Sequence, residues 1–72
     1  MIEELSRIDI ECVENYANAN MRARAAAKKM HYDRKTLPYH FDRVQKATGL
    51  DPRNFHDLCR LVQEINEWKG EM

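Results

Sequence analysis

Apolar residues in this chain recur at steps of three and four and nowhere alternate, which confines it to helices. Leu5, Ile8, Cys12, Val13 and Tyr16 form one stripe, and Ala23, Ala26, Ala27 and Met30 a second. Leu37, Phe41 and Val44 form a third; Phe55, Leu58, Leu61, Val62 and Ile65, with Trp68 beyond them, form the fourth. Breakers stand between the stripes: NAN at 18–20, HYD at 31–33, and Gly49 followed by LDPRNF. The pattern predicts an all-α fold, a small four-helix domain, with helices over about 3–18, 21–30, 34–47 and 52–68. Asn20, Asp33 and Asp51 are the expected N-caps, with Pro52 at a first helical position and Gly49 as the left-handed residue closing the third helix. The last residues, KGEM, are expected to fray.

Seventy-two residues make a single domain, expected to span 1–72. One core of this size supplies only about 3–5 kcal/mol of net stability, so helices must be packed economically or the chain must pair. Cys12 and Cys59 have no paired spacing and read as reduced thiols. The N-terminus has neither a basic start nor a continuous apolar run, so no signal peptide or membrane span is expected and the cytoplasm is the expected location. Chemistry has little to stand on. His56 and Cys59 lie three apart on one helical face, but a metal site needs three or four converging ligands. Ser6 is the only serine and there is no glycine-rich phosphate loop. No enzyme, no cofactor and no metal are expected.

The formal charge is zero, yet it is unevenly spread. Residues 1–20 set five acids against Arg7, and residues 47–72 set five acids against three bases. Between them, residues 21–46 hold Arg22, Arg24, Lys28, Lys29, Arg34, Lys35, Arg43 and Lys46 against Asp33 and Asp42. A basic block of this kind is an electrostatic footprint for nucleic acid.

The block coincides with two short helices joined by a three-residue corner, the outline of a helix-turn-helix. Ala27 is the small residue in the first helix, Met30 the anchor before the corner, and Leu37 and Phe41 the anchors beyond it. His31 falls where glycine is usual, at a corner that often needs positive φ. On the third helix, at about 100° per residue, Leu37, Phe41 and Val44 face inward. Lys35, Tyr39, Arg43 and Lys46 face outward, with Thr36 beside them. Docked in a major groove, the start of such a helix meets base edges. Arg34 and Lys35 can donate to guanine, Thr36 suits a phosphate or a thymine methyl, and Tyr39 and His40 suit base or sugar contact. Arg43 reaches the backbone. Asn20, Arg22 and Arg24, at the start of the preceding helix, are expected phosphate contacts. Asp42 is expected to pair with Lys46.

Pro38 sits where this helix gains its first hydrogen bonds. Either the helix starts at Asp33 and proline removes one bond, or it starts at Pro38 and residues 33–37 form a separate turn. The need for Leu37 and Phe41 as successive anchors favours Asp33.

The run ARAAAKKMHYDRKTLPYHFDRVQKATGLDPRNFHDLCRLV resembles the C-terminal helix-turn-helix of PucR-type transcriptional regulators, and more distantly Fis-type domains. The resemblance lies in AAAKKM, in H-Y-D-R-K-T-L across the corner, in Y-H-F-x-R-V, and in TGLD after it. It implies sequence-specific double-stranded DNA binding in transcription control. Such domains usually end a larger sensor protein; over these 72 residues no small-molecule sensor domain is expected. A homodimer on a palindromic site is expected, since one short helix reads few base pairs. The rival reading is a protein-interaction module or adaptor without DNA binding, favoured by the acidic first helix and the zero net charge.

Overall fold

The acidic segment at the N-terminus is broken by Ser6, and this break sets the phase of everything that packs on it. In the computed structural model, which describes residues 1–33 and 35–71, a short 3-10 turn covers Ile2–Glu4. Helix α1 then runs Arg7–Asn18, α2 Ala23–Met30, α3 Thr36–Thr48 and α4 Phe55–Gly70. These four α-helices, with no strand among the described residues, make the all-α fold. Helix α1 is the central element: α2, α3 and α4 all pack against it, α2 also meets α3, and the 3-10 turn lies on α4.

The single first helix expected over 3–18 is therefore corrected to a turn and a helix. Ser6 adopts an extended conformation, its Oγ accepts from the Asp9 amide at 3.1 Å, and its own amide donates to Asp9 Oδ2 at 3.0 Å. That reciprocal box satisfies amides which would otherwise lack partners at a helix start. Restarting the helix here rotates the stripe. Ile8, expected inside, is exposed, while Ile2, Leu5 and Ile10 are buried beside Cys12, Val13 and Tyr16.

Asn20 is not the cap of α2. Asn20 and Met21 both take positive φ, 57° and 64°, in the connection, and α2 begins at Ala23 behind Arg22 with no side-chain cap. Asparagine visits this region readily; methionine does so at a cost. Ala26 and Ala27 are buried, and their small side chains let α2 lie close on its neighbours.

The connection to α4 also differs from expectation. Asn54, rather than Asp51, caps the helix, accepting from the Asp57 amide at 3.0 Å. Pro52 is buried in the turn ahead of it. Phe55, expected inside, is exposed at the first position of α4, and the stripe begins one turn later with Leu58, Leu61 and Ile65. Helix α4 extends to Gly70, past the point where fraying was expected. The core closes with Leu37, Phe41 and Val44 from α3, and the Tyr16 and Phe41 rings meet at 4.8 Å.

Candidate nucleic-acid interface

The corner between α2 and α3 is built by main-chain hydrogen bonds that demand one left-handed residue. The Tyr32 amide reaches back to the Ala27 carbonyl at 2.8 Å and the His31 amide to that of Lys28 at 3.1 Å. This is a Schellman closure. His31, at φ 59° and ψ 36°, occupies the left-handed position where glycine is usual.

Helix α3 starts between the two expected places. The Thr36 amide donates to the Asp33 carbonyl at 3.0 Å in a preceding turn, and the first helical bond runs from the Tyr39 amide to the Lys35 carbonyl at 3.3 Å. Pro38 is thus the third helical residue. Amides in this first turn have no acceptor within the helix, so the N–H that proline lacks is not missed. Asp33 contributes its carbonyl rather than a side-chain cap. Gly49, at φ 77°, ends the helix as expected, its amide bonded to the Gln45 carbonyl at 2.8 Å.

The outer face of α3 carries Lys35, Tyr39, Arg43 and Lys46, all exposed, with Thr36 half-buried. Tyr39 is 59% exposed, an aromatic surface with nothing packed over most of it. Lys28 and Lys29 stand in the last turn of α2, and Arg22 and Arg24 at its start, all exposed. Among the described residues, none of these lysines, nor Arg22 or Arg24, takes part in an ion pair. Arg34 lies outside the described residues. Asn20 sits apart, in the connection, where it borders an apolar depression with Met21, Phe55 and Cys59.

Two expectations for side chains on α3 are corrected. Asp42 pairs not with Lys46 but with Arg53, at 2.9 Å; Arg53 also holds Asp51 at 2.8 Å and Gln45 at 3.3 Å. This ties the turn before α4 to α3 and leaves Lys46 uncommitted. His40 does not offer a free ring to a groove: its side chain is only 13% exposed, and Nδ1 lies 2.6 Å from Asp9 Oδ1.

Asp9 is the residue that sequence reasoning missed. It is 1% exposed, yet charged, and it gathers three groups: the Ser6 amide, His40 Nδ1, and Arg43 Nε at 3.2 and 3.4 Å from its two oxygens. Burial pushes its pKa up, but the hydrogen bonds from His40, Ser6 and Arg43 outweigh burial and hold the carboxyl below its ordinary value. An ionised carboxylate only accepts, so His40 carries a proton on Nδ1. The signal was present as S-x-x-D ahead of an apolar run, a capping pattern. Nothing in the sequence pointed from Asp9 to positions 40 and 43.

Arg43 is held twice. Beyond its bond to Asp9, its guanidinium carbon lies 5.9 Å from the Tyr39 ring centroid, within cation–π range. The Asp9 hydrogen bond and charge, and then Tyr39, raise its pKa further. The cysteines do not meet: Cys12 is fully buried, its thiol pushed up to about 11 by burial and the nearby Asp9 and Glu11 charges, while Cys59 is on the surface. No helix among the described residues is long and apolar enough to cross a membrane.

The family model of the PucR C-terminal helix-turn-helix domain matches residues 9–63, more than half of the chain, taking in α1 as well as the segment from α2 to α4. No curated protein and no solved structure matches it.

Proposed function

Since the chain belongs to the family of PucR C-terminal helix-turn-helix domains, we propose that it binds double-stranded DNA in sequence-specific fashion and acts in transcription control. The observation that carries this reading is the outer face of α3. Lys35, Tyr39 and Lys46 are exposed there, without ionic partners among the described residues, and Asp42 on the same helix is paired with Arg53. In this reading the start of α3 enters the major groove. Lys35 and Thr36, with Arg34 placed beside them by sequence, meet base edges; Tyr39 packs on base or sugar; Arg43 and Lys46 reach phosphates. Arg22, Arg24, Lys28 and Lys29 add backbone contacts along α2. Asn20 and His40 drop from direct contact to supporting positions, one in the connection and one against Asp9.

The proposed unit is the single domain of residues 1–72, acting in the cytoplasm without a metal or cofactor, and working as a homodimer. Two copies would present two recognition helices about 34–36 Å apart, one turn of duplex. Trp68 is half-buried on the core, and exposed Phe55 and Ile8 are the proposed apolar contacts for such pairing.

Selection of bound duplexes from a random pool tests binding and specificity together. A recovered consensus is expected, and Lys35→Ala should lower affinity for it by about 1–3 kcal/mol if that contact reads a base. Lys28→Ala should weaken all duplexes to a similar, smaller extent. An unenriched pool, with wild-type affinity in both variants, would refute DNA as the ligand.

A further inference from the structure

Given the DNA reading above, on which this rests, we propose that Asp9 of α1 is a positioning residue for the contact made by α3: it holds Arg43 by Nε and leaves the outer edge of the guanidinium for a phosphate. Asp9 itself is buried, 1% exposed. Its carboxylate is immobilised from both sides, by the Ser6 amide at 3.0 Å and by His40 Nδ1 at 2.6 Å. Arg43 Nε lies 3.2 and 3.4 Å from its two oxygens, while the side chain remains 47% exposed. An arginine uses a planar fork of five N–H groups. When Nε is anchored, the two terminal amino groups still present donors in a fixed plane, the geometry that suits a phosphate.

A free arginine on a helix surface must lose rotamer freedom when it grips a ligand, and one already held loses less. Tyr39 supplies a second wall on the same helix. Lys46, three residues on and exposed, borders the same shallow depression as Arg43 and Asp9, so a phosphate there meets two cations. Glu4 lines that depression too, as an exposed acid. Its presence provides a control, because both carboxylates are near the site but only Asp9 touches Arg43.

The two roles that Asp9 could have differ in sign. As a mere nearby negative charge, it would repel DNA, and removing it would tighten binding. As the anchor of Arg43, its removal weakens binding although the protein gains positive charge.

The test is anisotropy of a labelled random-sequence duplex with the full chain over a series of salt concentrations, at a temperature where circular dichroism shows each variant folded. Asp9→Asn should weaken binding 3- to 10-fold, Glu4→Gln should leave it unchanged or tighten it, and Ser6→Ala should lower the melting temperature while keeping affinity. Arg43→Ala should weaken binding and reduce the slope of log K against log salt by about 0.9, one phosphate contact. In the Arg43→Ala background, Asp9→Asn should no longer weaken binding. Arg43→Lys keeps the charge but cannot hold Asp9 and a phosphate together, and should lose as much affinity as Arg43→Ala. If Asp9→Asn folds and binds as well as wild type, or Arg43→Lys does, the anchoring role is overturned while DNA binding stands. If the wild-type chain does not bind duplex at low salt, the DNA reading falls and the positioning role with it.

Discussion

At the residue scale, Asp9 shows why a charge can be buried in so small a core. Its two oxygens accept from Ser6, His40 and Arg43, so desolvation is offset by charge-assisted hydrogen bonds. Asp9→Asn should cost about 1.5–3 kcal/mol at neutral pH, and each kcal/mol lowers the melting temperature of a domain this size by about 4–8 °C. The folded-state pKa of Asp9 is depressed, so its contribution is present above the free-chain value, about 3.9. It is lost as pH falls through the lower folded value. Urea midpoints taken from pH 7 to pH 3 should therefore converge for wild type and Asp9→Asn on the acid side, and parallel curves would contradict the assignment. His31 is the opposite case, a residue in a conformation that suits glycine better. His31→Gly should raise stability by about 0.5–1 kcal/mol, read as a higher melting temperature with the same helix content. A loss would mean that the imidazole makes contacts worth more than the backbone strain.

At the element scale, helix boundaries were the least legible part of the sequence, and each miss has a local cause. The apolar spacing of Leu5, Ile8 and Cys12 suits one continuous helix, yet the reciprocal bonding of Ser6 and Asp9 stabilises a restart between them. Ser6→Ala should cost about 1 kcal/mol through the lost cap, measured by thermal melting. The start of α3 was ambiguous because proline is tolerated throughout a first turn, and only the Lys35 carbonyl accepting from Tyr39 settles the register. With Pro38 third in the helix, Pro38→Ala should lower stability by under about 1 kcal/mol, since proline restricts the unfolded chain without losing a bond. A rise in melting temperature would put residue 38 inside the hydrogen-bonded body of the helix. The end of α2 carries its exception in the sequence: His31 stands where glycine is usual, and it adopts the left-handed conformation that glycine would.

At the scale of the molecule, one helix carries the fold. Because α2, α3 and α4 all rest on α1, a cavity opened under α1 is felt by every element. Leu61 and Ile65 are fully buried. Truncating either to alanine should cost about 2–5 kcal/mol, comparable to the whole net stability of a core this size, about 3–5 kcal/mol. Leu61→Ala should show largely unfolded circular dichroism at 37 °C, and a cooperative melt near wild type would mean that a partner chain shares the core. The same architecture ties the acidic first helix to the basic outer face of α3. The resemblance seen in the sequence covered α2 to α4, whereas the family match extends back to Asp9 in α1, whose buried carboxylate meets α3.

What the sequence determined by itself was whatever depends on near neighbours. Apolar steps of three and four dictated four helices, the basic block marked the segment from α2 to α3, and Gly49 marked where α3 stops. Those signals are carried by residues within one or two turns of each other, where spacing and backbone preference suffice. Tertiary structure decided the pairings across helices: Asp9 with positions 40 and 43, Asp42 with Arg53 rather than Lys46, and Phe55 outside rather than inside. Asp9 and Arg43 stand 34 positions apart in the chain. Which charge meets which depends on how α1 and α3 are rotated against each other, a quantity set by packing of the shared core and written in no single stretch of sequence.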